Sequence, residues 1–302
     1  MKKLLSTLLI PVISCTAIAQ DAFQARAILS FDGGGNTVAW ILAATDKAVR
    51  YKTSANSTQF EDAGISDFSN IYLMEPPQFS EAMDLYEGGK FKEAKEKFAA
   101  YKKISKPIAA LKGNFHTLSA FYEMECLRQL EDYEAILEIL KNFFKEPLTR
   151  DHHLRQLELY VMWNAVKSEA WDQVIAIADE RYDENLPAYQ LAQVAYCKGL
   201  ALEKKGKPQE ALVEYAVAMT ADAGASRFTA QNAALNSLRI YNADKEVQAA
   251  MEAWGTEDEV KGSLGYNRLR EAQGIAKVFR SFLKADKALG DYVKFLEYKF
   301  EE

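Results

Sequence analysis

The pattern of apolar and polar positions divides the chain near residue 76. Residues 22–75 hold short runs of β-forming residues separated by turn residues, such as the glycine-rich stretch Asp32–Asn36, and Pro76-Pro77 ends this part. Short runs bounded by such residues are typical of strands joined by tight turns. The pattern therefore predicts a small β-barrel or β-meander over residues 22–75. Its five strands are predicted at Ala27–Phe31, Thr37–Ala44, Lys47–Thr53, Ile65–Phe68 and Asn70–Met74.

From Phe79 onward the apolar positions recur at the spacing of amphipathic helices, and the helices come in pairs. Two stretches share one order of residue types, in which small and large apolar residues flank a turn glycine. The first consists of Ala82, Leu85, Gly89, Phe91, Ala94 and Phe98, and the second of Gly199, Leu202, Gly206, Pro208, Ala211, Tyr215 and Ala218. Three weaker copies contain Ile136, Val174 and Val247 at the position of Ala94.

The residue types in these stretches indicate how two helices of a pair would pack. Gly199 and Ala211 are small, so they are expected at the crossing point, with Tyr215 filling the groove beside it. Gly89 and Gly206 are expected in the turns, where a residue without a Cβ is favoured. Residues 264–302 are predicted to form one longer helix and a short final helix that caps the array.

The helical part resembles the tetratricopeptide-repeat family. Measured from Ala94 through Ile136, Val174 and Ala211 to Val247, the copies are 42, 38, 37 and 36 residues apart, against the family's usual period of about 34. The resemblance implies a superhelix of helix pairs over residues 76–302. The segment in front of it resembles the small SH3-like or Sm-like barrels that precede helical repeats in some exported bacterial proteins. The expected fold class is therefore mainly α, with a small β-domain before the repeats.

The first residues read as an export signal. Lys2 and Lys3 precede the apolar stretch Leu4–Ser14, and Ala17-Ile18-Ala19 is a small-x-small cleavage site. Cys15 offers an alternative, because Val12-Ile13-Ser14-Cys15 resembles a bacterial lipobox whose cysteine becomes lipidated. Both alternatives stay open, and both predict an exported protein that is periplasmic or associated with the outer membrane, with residues 1–19 as signal peptide in the first case. A lipid at Cys15 is the only membrane attachment that we expect.

Charge and cysteine usage narrow the range of functions. The chain has 43 Asp and Glu against 37 Lys and Arg and no basic run, so nucleic-acid binding is not expected. Cys126 and Cys197 lie in different predicted repeats, which favours two small buried side chains over a disulfide.

No enzyme motif is present in the sequence, and we predict neither an enzyme nor a cofactor. Gly33-Gly34-Gly35 lacks the Lys-Ser or Lys-Thr pair of a P-loop and is interpreted as a hairpin turn. Asp151-His152-His153 is interpreted as a helix start, with Asp151 or Thr149 as its cap. Adjacent histidines on a helix point about 100° apart, so no metal site is predicted there.

The predicted functional surface is the concave wall of the superhelix. In the tetratricopeptide-repeat family the first helix of each pair lines the groove, and its outward side chains set specificity. Transferred by spacing, that face presents a mixed aromatic, polar and charged surface suited to another protein or a peptide. The partner-binding residues are predicted to be Phe121, Glu125, Arg128, Gln129, Trp163, Lys167, Tyr196, Glu203, Lys204, Asn232, Asn236 and Arg239, with Met83, Tyr86 and Leu159 on the same face.

Other functions stay open at this point. Trp163, Trp171 and Trp254 could stack on sugars in a carbohydrate-binding or enzyme-accessory protein, and the β-domain could mediate self-association with the helices as a spacer. The groove hypothesis predicts that Arg128→Glu combined with Lys167→Glu weakens partner binding while thermal stability stays nearly unchanged.

Overall fold

The structure, a computed structural model, describes residues 23–182, 184–224, 227–283 and 289–300. The predicted signal peptide, with Cys15 and the cleavage site after Ala19, lies outside these residues. The described chain is mainly helical and carries a five-stranded antiparallel sheet near its N-terminal side. This arrangement confirms the predicted fold class at the level of a mainly α protein with a small β-part in front.

Four consecutive strands lie side by side in the sheet, and the fifth strand pairs with the first. Its order is β4-β3-β2-β1-β5, and all neighbouring strands are antiparallel. The turn between the first two strands is the predicted hairpin, since Gly34 and Gly35 have φ angles of 91° and 94°. Glycine is favoured here because residues with a Cβ rarely adopt such positive φ angles. The strands are β1 (Ala25–Phe31), β2 (Asn36–Ala44), β3 (Ala48–Lys52), β4 (Glu61–Gly64) and β5 (Phe68–Leu73).

The strand predicted at Ile65–Phe68 is wrong. Ile65–Asp67 is a 3-10 turn, and the Gly64 N–H donates to Asp67 Oδ2 at 2.8 Å within it. The fourth strand comes earlier, at Glu61–Gly64, although its residues have low strand propensity. Cross-strand contacts outweigh propensity here, because Asp62 pairs with Arg50 at 2.8 Å and the Tyr51 hydroxyl donates to Glu61 at 2.8 Å.

The core of the sheet includes residues from the helical part of the chain. Alternate residues of β1 and β2, among them Leu29 and Ile41, are fully buried on one face. Ile108 and Leu111, which lie between the second and third helices, belong to the same apolar cluster and are 0% and 3% exposed. The sheet therefore buries its face against a connection that follows it in the chain by more than thirty residues.

The helices follow one another in pairs, as the sequence predicts. Each helix from α1 to α11 packs against a neighbour in the chain, and first helices of successive pairs also touch, as in α1–α3, α5–α7 and α7–α9. A 3-10 segment, Gly290–Glu297, is the last regular element of the described chain. The helices are α1 (Pro77–Glu87), α2 (Phe91–Ile104), α3 (Phe115–Gln129), α4 (Tyr133–Leu140), α5 (Asp151–Lys167), α6 (Trp171–Tyr182), α7 (Ala188–Lys204), α8 (Pro208–Ala221), α9 (Arg227–Ala243), α10 (Lys245–Ala253) and α11 (Leu264–Ser281).

Four of the turns within pairs have the same hydrogen-bonding pattern. In each, one residue has a positive φ, and the N–H that follows it donates to a carbonyl five residues back. The predicted turn glycines Gly89 and Gly206 occupy this position in two turns, with φ angles of 76° and 75°. Glu131 and Glu169 occupy it in the other two, with φ angles of 61° and 57°. The turn geometry is thus shared even where glycine is not.

Close packing within the pair α7–α8 depends on Gly199, as predicted. A Cβ added to Gly199 would lie 2.6 Å from Cε1 of Tyr215, so the ring occupies the space that a side chain would need. Cys126 and Cys197 are fully buried, as expected of small apolar side chains. Within the described ranges, no helix is both long enough and apolar enough to cross a lipid bilayer.

Candidate binding cavity

A cavity of about 850 Å³ lies among the first helices of five successive pairs. Its walls come mainly from α1, α3, α5, α7 and α9 and the turns next to them, with Phe91 at the start of α2. This volume falls in the range of pockets that hold a small ligand or a short stretch of peptide, about 300 to 1,000 Å³. The helices that the sequence assigns to the groove are therefore the helices that line the cavity.

Aromatic side chains form much of the cavity wall. The Tyr122 ring is at the centre of the wall, with its centroid 5.7 Å from Tyr86, 5.4 Å from Phe121 and 6.1 Å from His153. Most of these rings meet edge to face, an arrangement that fixes their orientation. The wall is thus a preformed apolar surface. Its aromatic residues are Tyr86, Phe91, Phe121, Tyr122, Tyr189 and Phe228.

A buried ion pair on α3 forms part of the cavity lining. Arg128 Nε donates to Glu125 Oε1 at 3.1 Å, and Arg128 Nη2 donates to Glu125 Oε2 at 2.9 Å. The hydroxyls of Tyr160 and Tyr86 also donate to Glu125, at 2.5 and 3.4 Å. Burial raises the pKa of Glu125, but the guanidinium and these hydrogen bonds outweigh it and hold the pKa below its usual value. Glu125 is therefore an ionised, fully satisfied acceptor.

Arg128 keeps one edge of its guanidinium unused. Glu125 occupies the edge formed by Nε and Nη2, while Nη1 donates to no residue in the described part of the chain. Arginine can bind a second carboxylate through its end-on edge, because the planar group offers five donors in fixed directions. Arg128 is only 5% exposed, and it lines the cavity.

His153 is the second polar group of the cavity without a partner. The side chain is 2% exposed, it makes no hydrogen bond to a described residue, and Nδ1 is shielded from solvent. Burial, with smaller effects of the neighbouring His152 and Arg150, lowers the pKa of His153 to about 4, and Glu125 opposes this shift only in part. The imidazole is therefore neutral at physiological pH, with one N–H to donate. Its ring packs against Phe121 at 4.4 Å.

The start of α5 differs from the prediction in two respects. The residue that caps the helix is Arg150 and not Asp151, and no side chain accepts a hydrogen bond from the first turn. The rings of His152 and His153 also meet, with centroids 4.3 Å apart, although their Cα–Cβ bonds diverge. The side-chain torsions bring together rings that the helix period alone would separate. In the described part of the chain, no three His, Cys, Asp or Glu residues are grouped to hold a metal ion.

Two helices begin at the cavity without a capping side chain. Arg150 precedes α5 and Pro187 precedes α7, and neither supplies a side-chain acceptor. The N–H groups of Asp151, His152 and Ala188 donate to no described residue. Because the first N–H groups of a helix have no partner within it, the starts of α5 and α7 offer donors and partial positive charge.

Four of the predicted partner-binding residues line the cavity: Phe121, Glu125, Arg128 and Gln129. The expectation that they are outward surface residues is wrong for the first three, which are 4% to 5% exposed. The predicted effect of Arg128→Glu must also be corrected. A second carboxylate facing Glu125 in a buried site would lower the free energy of unfolding strongly, so stability could not stay unchanged.

The remaining predicted residues lie elsewhere. Trp163 and Tyr196 are buried between helices, at 1% and 8% exposure, so the sugar-stacking role considered for Trp163 is wrong. Lys167 and Lys204 are exposed. The others lie on α7 and α9 and contact one another, their own helix or Tyr215 on α8. In this group Glu203 pairs with Arg239 at 2.5 Å, Asn236 contacts the Tyr215 hydroxyl at 3.4 Å, and the Asn232 amide donates to the Phe228 carbonyl.

The sequence argument missed the residues at the helix starts. His152, His153, Tyr189, Arg227 and Phe228 all lie in the first turn of their helices and line the cavity. Periodicity identifies the face of a helix, but the crossing angle between helices decides which end of that face meets a neighbour. Pro187, which offers no capping side chain, was the available sequence signal before α7, whereas before α5 the sequence suggests a cap that the structure does not show.

Comparison of the chain with models of protein families, with curated proteins and with solved structures gives no match in any of the three. The functional argument therefore depends on the geometry of the cavity and on the sequence features described above.

Proposed function

We propose that this protein is a non-enzymatic scaffold or adaptor of the bacterial cell envelope, which binds another protein or peptide in the cavity. The observation that carries the proposal is the convergence of the first helices of five successive pairs on one aromatic-lined cavity. Aromatic residues and arginine are enriched at the interface positions that contribute most to binding energy. The cavity offers several aromatic rings and one buried arginine.

A superhelix of the tetratricopeptide-repeat type is part of the proposal. The repeated turn geometry, the contacts between successive first helices and the close approach at Gly199 support it. In such an array each pair contacts mainly its neighbours and creates an extended concave surface. We propose that the β-part at residues 22–75 is an SH3-like or Sm-like domain in front of the repeats at residues 76–302.

The proposed location rests on the first nineteen residues. The basic start, the apolar stretch and the Ala17-Ile18-Ala19 site support export to the periplasm. Lipidation at Cys15 would instead tether the protein to a membrane, as at the outer membrane. Mass spectrometry of the purified protein distinguishes the alternatives, because cleavage leaves Gln20 at the N-terminus and lipidation leaves a modified Cys15.

Charge reversal at the cavity rim tests the function directly. Glu87 and Arg227 line the cavity and are exposed, so Glu87→Arg with Arg227→Glu changes the rim while affecting the free energy of unfolding by about 0.5 kcal/mol or less. Affinity capture from envelope extract, analysed by mass spectrometry, is expected to recover a specific protein with the unmodified chain and to lose it with this variant.

The matched control reverses two exposed charges away from the cavity. Lys167→Glu with Lys204→Glu is expected to recover the same partner as the unmodified chain, since both side chains are exposed and neither lines the cavity. Equal recovery by the rim variant and the control would contradict the proposal that the cavity is the binding site.

A carbohydrate is the second candidate ligand. The residues that could stack on a sugar are aromatic rings of the cavity and not the tryptophans considered from the sequence. Trp163 is buried, and Trp254 stacks on Tyr266 at 5.8 Å within the fold. Tyr86 and Tyr122, in contrast, line the cavity and could pack against a sugar ring. Retention on glycan beads that the rim variant loses, without a captured protein, would favour this function.

A further inference from the structure

A second cavity, of about 610 Å³, lies on a different face of α3 from the binding cavity, and the two share no lining residue. Its walls come from the end of α2, the turn after it, the start of α3, and α4 with the residues that follow. We call it the lysine cavity, because Lys102, Lys103 and Lys106 line it. Its volume is within the range of sites for small ligands, about 300 to 1,000 Å³.

The three lysines come from a part of the chain that has no acidic residue. Residues 97–122 contain five lysines and neither Asp nor Glu, although the chain as a whole has an acidic excess. Lys102 pairs with Glu123 at 2.5 Å, whereas Lys103 and Lys106 are exposed and form no ion pair with a described residue. A lysine in the last turn of a helix complements the helix dipole, but Lys106 lies beyond α2. The cavity therefore carries positive charge that the fold does not balance.

The other polar groups of the cavity leave this charge in place. Glu138 lines the cavity but pairs with Lys141 at 2.5 Å. The Lys102 carbonyl at the end of α2 accepts a hydrogen bond from Nδ1 of His116 at 2.8 Å. Burial lowers the pKa of His116, the hydrogen bond to this carbonyl opposes the shift, and the charges of Lys102 and Lys106 act in the same direction as burial. Both ammonium groups thus act on one ring of the cavity wall, which favours an anion there.

The side of the cavity that α4 supplies is largely apolar. Ile139 lies on α4, and Phe143 and Phe144 follow the helix directly. Phe144 is 56% exposed, so much of its ring is open to contact with a ligand. Ala109 and Ala120 also line the cavity and offer only methyl groups. A small inorganic anion would leave these side chains in water, whereas a ligand with an apolar part would bury them favourably.

We infer that the lysine cavity binds a single-chain amphiphilic anion, such as a fatty acid. Its charged head lies at Lys103 and Lys106, and its chain packs on Ile139, Phe143 and Phe144. A peptide fits less well, because its backbone N–H and C=O groups would lose water at the apolar side without gaining partners there. The inference goes beyond the proposed function and does not depend on it, since the ligand occupies a different cavity.

Displacement of a fluorescent fatty acid, dansyl-labelled undecanoate, from the purified protein tests the inference. Decanoate and decanol have chains of equal length and differ in the charge of the head. Decanoate is expected to displace the probe at concentrations about tenfold lower than decanol, because the hydroxyl cannot pair with the ammonium groups as a carboxylate does. Inorganic phosphate, which lacks the chain, should not displace the probe at the concentrations at which decanoate does.

Lys103→Gln combined with Lys106→Gln is the matching test on the protein side. Both side chains are exposed and without an ion pair in the described chain, so the melting temperature is expected to stay nearly unchanged. The difference between decanoate and decanol should largely vanish, while displacement by decanol stays the same. Phe144→Ala should instead weaken both ligands and leave their ratio unchanged, because the ring contacts the chain and not the head.

Lys92→Gln combined with Lys112→Gln is the control. It removes the same charge at two exposed positions that do not line the cavity, so it should bind every ligand as the unmodified chain does. The rim variant of the binding cavity, Glu87→Arg with Arg227→Glu, should also bind decanoate normally. A loss in the rim variant would assign the fatty acid to the binding cavity and overturn the inference.

Four other results would overturn it as well. They are failure of the probe to bind, equal displacement by decanoate and decanol, displacement by phosphate alone, and an unchanged ratio in the Lys103→Gln, Lys106→Gln variant. Sedimentation with phosphatidylglycerol vesicles, without binding of free decanoate, would show that the lysines face a membrane surface and not a ligand in a cavity. The proposed function is tested separately by capture of a partner, and it stands or fails independently of these results.

Discussion

At the scale of single residues, burial turns an ion pair that the sequence places on the surface into part of the core. Glu125 and Arg128 have the spacing of an exposed helical ion pair, yet each is 5% exposed, and two tyrosine hydroxyls complete the acceptor shell of Glu125. A pair of this kind is strongly destabilised when one member is removed. Its contribution to the cavity is to hold the guanidinium edge in a fixed position without a net charge.

His153 predicts a dependence of stability on pH. Burial, His152 and Arg150 together lower the pKa of His153 from 6.5 to about 4, against an opposing effect of Glu125. Between these pH values the unfolded chain binds more protons than the folded one, so the free energy of unfolding falls as pH drops from about 6.5 to 4. The part due to His153 is about 3 kcal/mol.

Urea unfolding at pH 7.5, 5.5 and 4 checks this prediction. The His153→Phe variant should lose less stability on acidification than the unmodified chain, since His116 and His152, whose pKa values are also lowered, remain in both. Parallel curves for the two proteins would show that His153 does not titrate in the way that its burial requires.

At the scale of elements, two helical glycines have opposite effects on packing. Gly199 in α7 lies against the ring of Tyr215, whereas Gly274 in α11 has no heavy atom outside its own helix within 4 Å of the place of a Cβ. Glycine lowers the stability of a helix unless its lack of a side chain is needed for packing. The structure shows that need only at the first of these two positions.

Alanine substitution at each position separates the two cases. Gly199→Ala is expected to lower the free energy of unfolding by about 1 to 3 kcal/mol, because the new methyl group overlaps Tyr215. Gly274→Ala is expected to raise it by about 0.5 to 1 kcal/mol through helix propensity alone. Thermal melts of both variants check the signs, and a stabilising Gly199→Ala would contradict the packing of α7 on α8.

The helix pairs were predictable because each pair repeats one local pattern, and the turns at Gly89 and Gly206 have the expected geometry. Glu131 and Glu169 escaped detection since nothing in a glutamate signals a positive φ. Likewise β4 could not be read from its own residues, because Arg50 and Tyr51 on the next strand hold it in place. The sequence was therefore sufficient for the turns that glycine marks, and insufficient for elements that depend on contacts with other parts of the chain.

At the scale of the whole molecule, the sheet and the helices share a core. Ile108 and Leu111 follow α2 in the chain but complete the apolar cluster that contains Leu29 and Ile41. A unit of about fifty residues is only marginally stable by itself, so this contribution to its core matters for its stability. Sequence patterns gave no hint of it, because the two parts are far apart in the chain and each looks complete.

Ile108→Ala tests the shared core. The side chain is fully buried, so the variant is expected to lose about 2 to 4 kcal/mol of stability. Hydrogen exchange should show faster exchange in β1 and β2, which lie more than sixty residues away in sequence. Val213→Ala, at a position 65% exposed, is the control and should leave those strands unchanged. Unaltered protection of both strands in Ile108→Ala would disprove the shared core.

The binding cavity shows the same limit of sequence reasoning. Phe121, Glu125, Arg128 and Gln129 were found because α3 presents one continuous face to the cavity. On α5, α7 and α9 the predicted positions lie towards the wrong end of the helix, since the periodicity of a single helix contains no information about how it crosses the next. The unpaired state of His153 is likewise a property of its surroundings and not of its own sequence.

The shared core also has a consequence for the order of events during biosynthesis. The strands leave the ribosome or a translocation channel before the described helices, yet they lack two of their core side chains until residue 111 has followed. Because domains tend to fold as units while the chain emerges from its N-terminus, the first strands must wait for α1 and α2. Any chaperone that protects this chain in transit would therefore meet an open sheet together with the first helical pair.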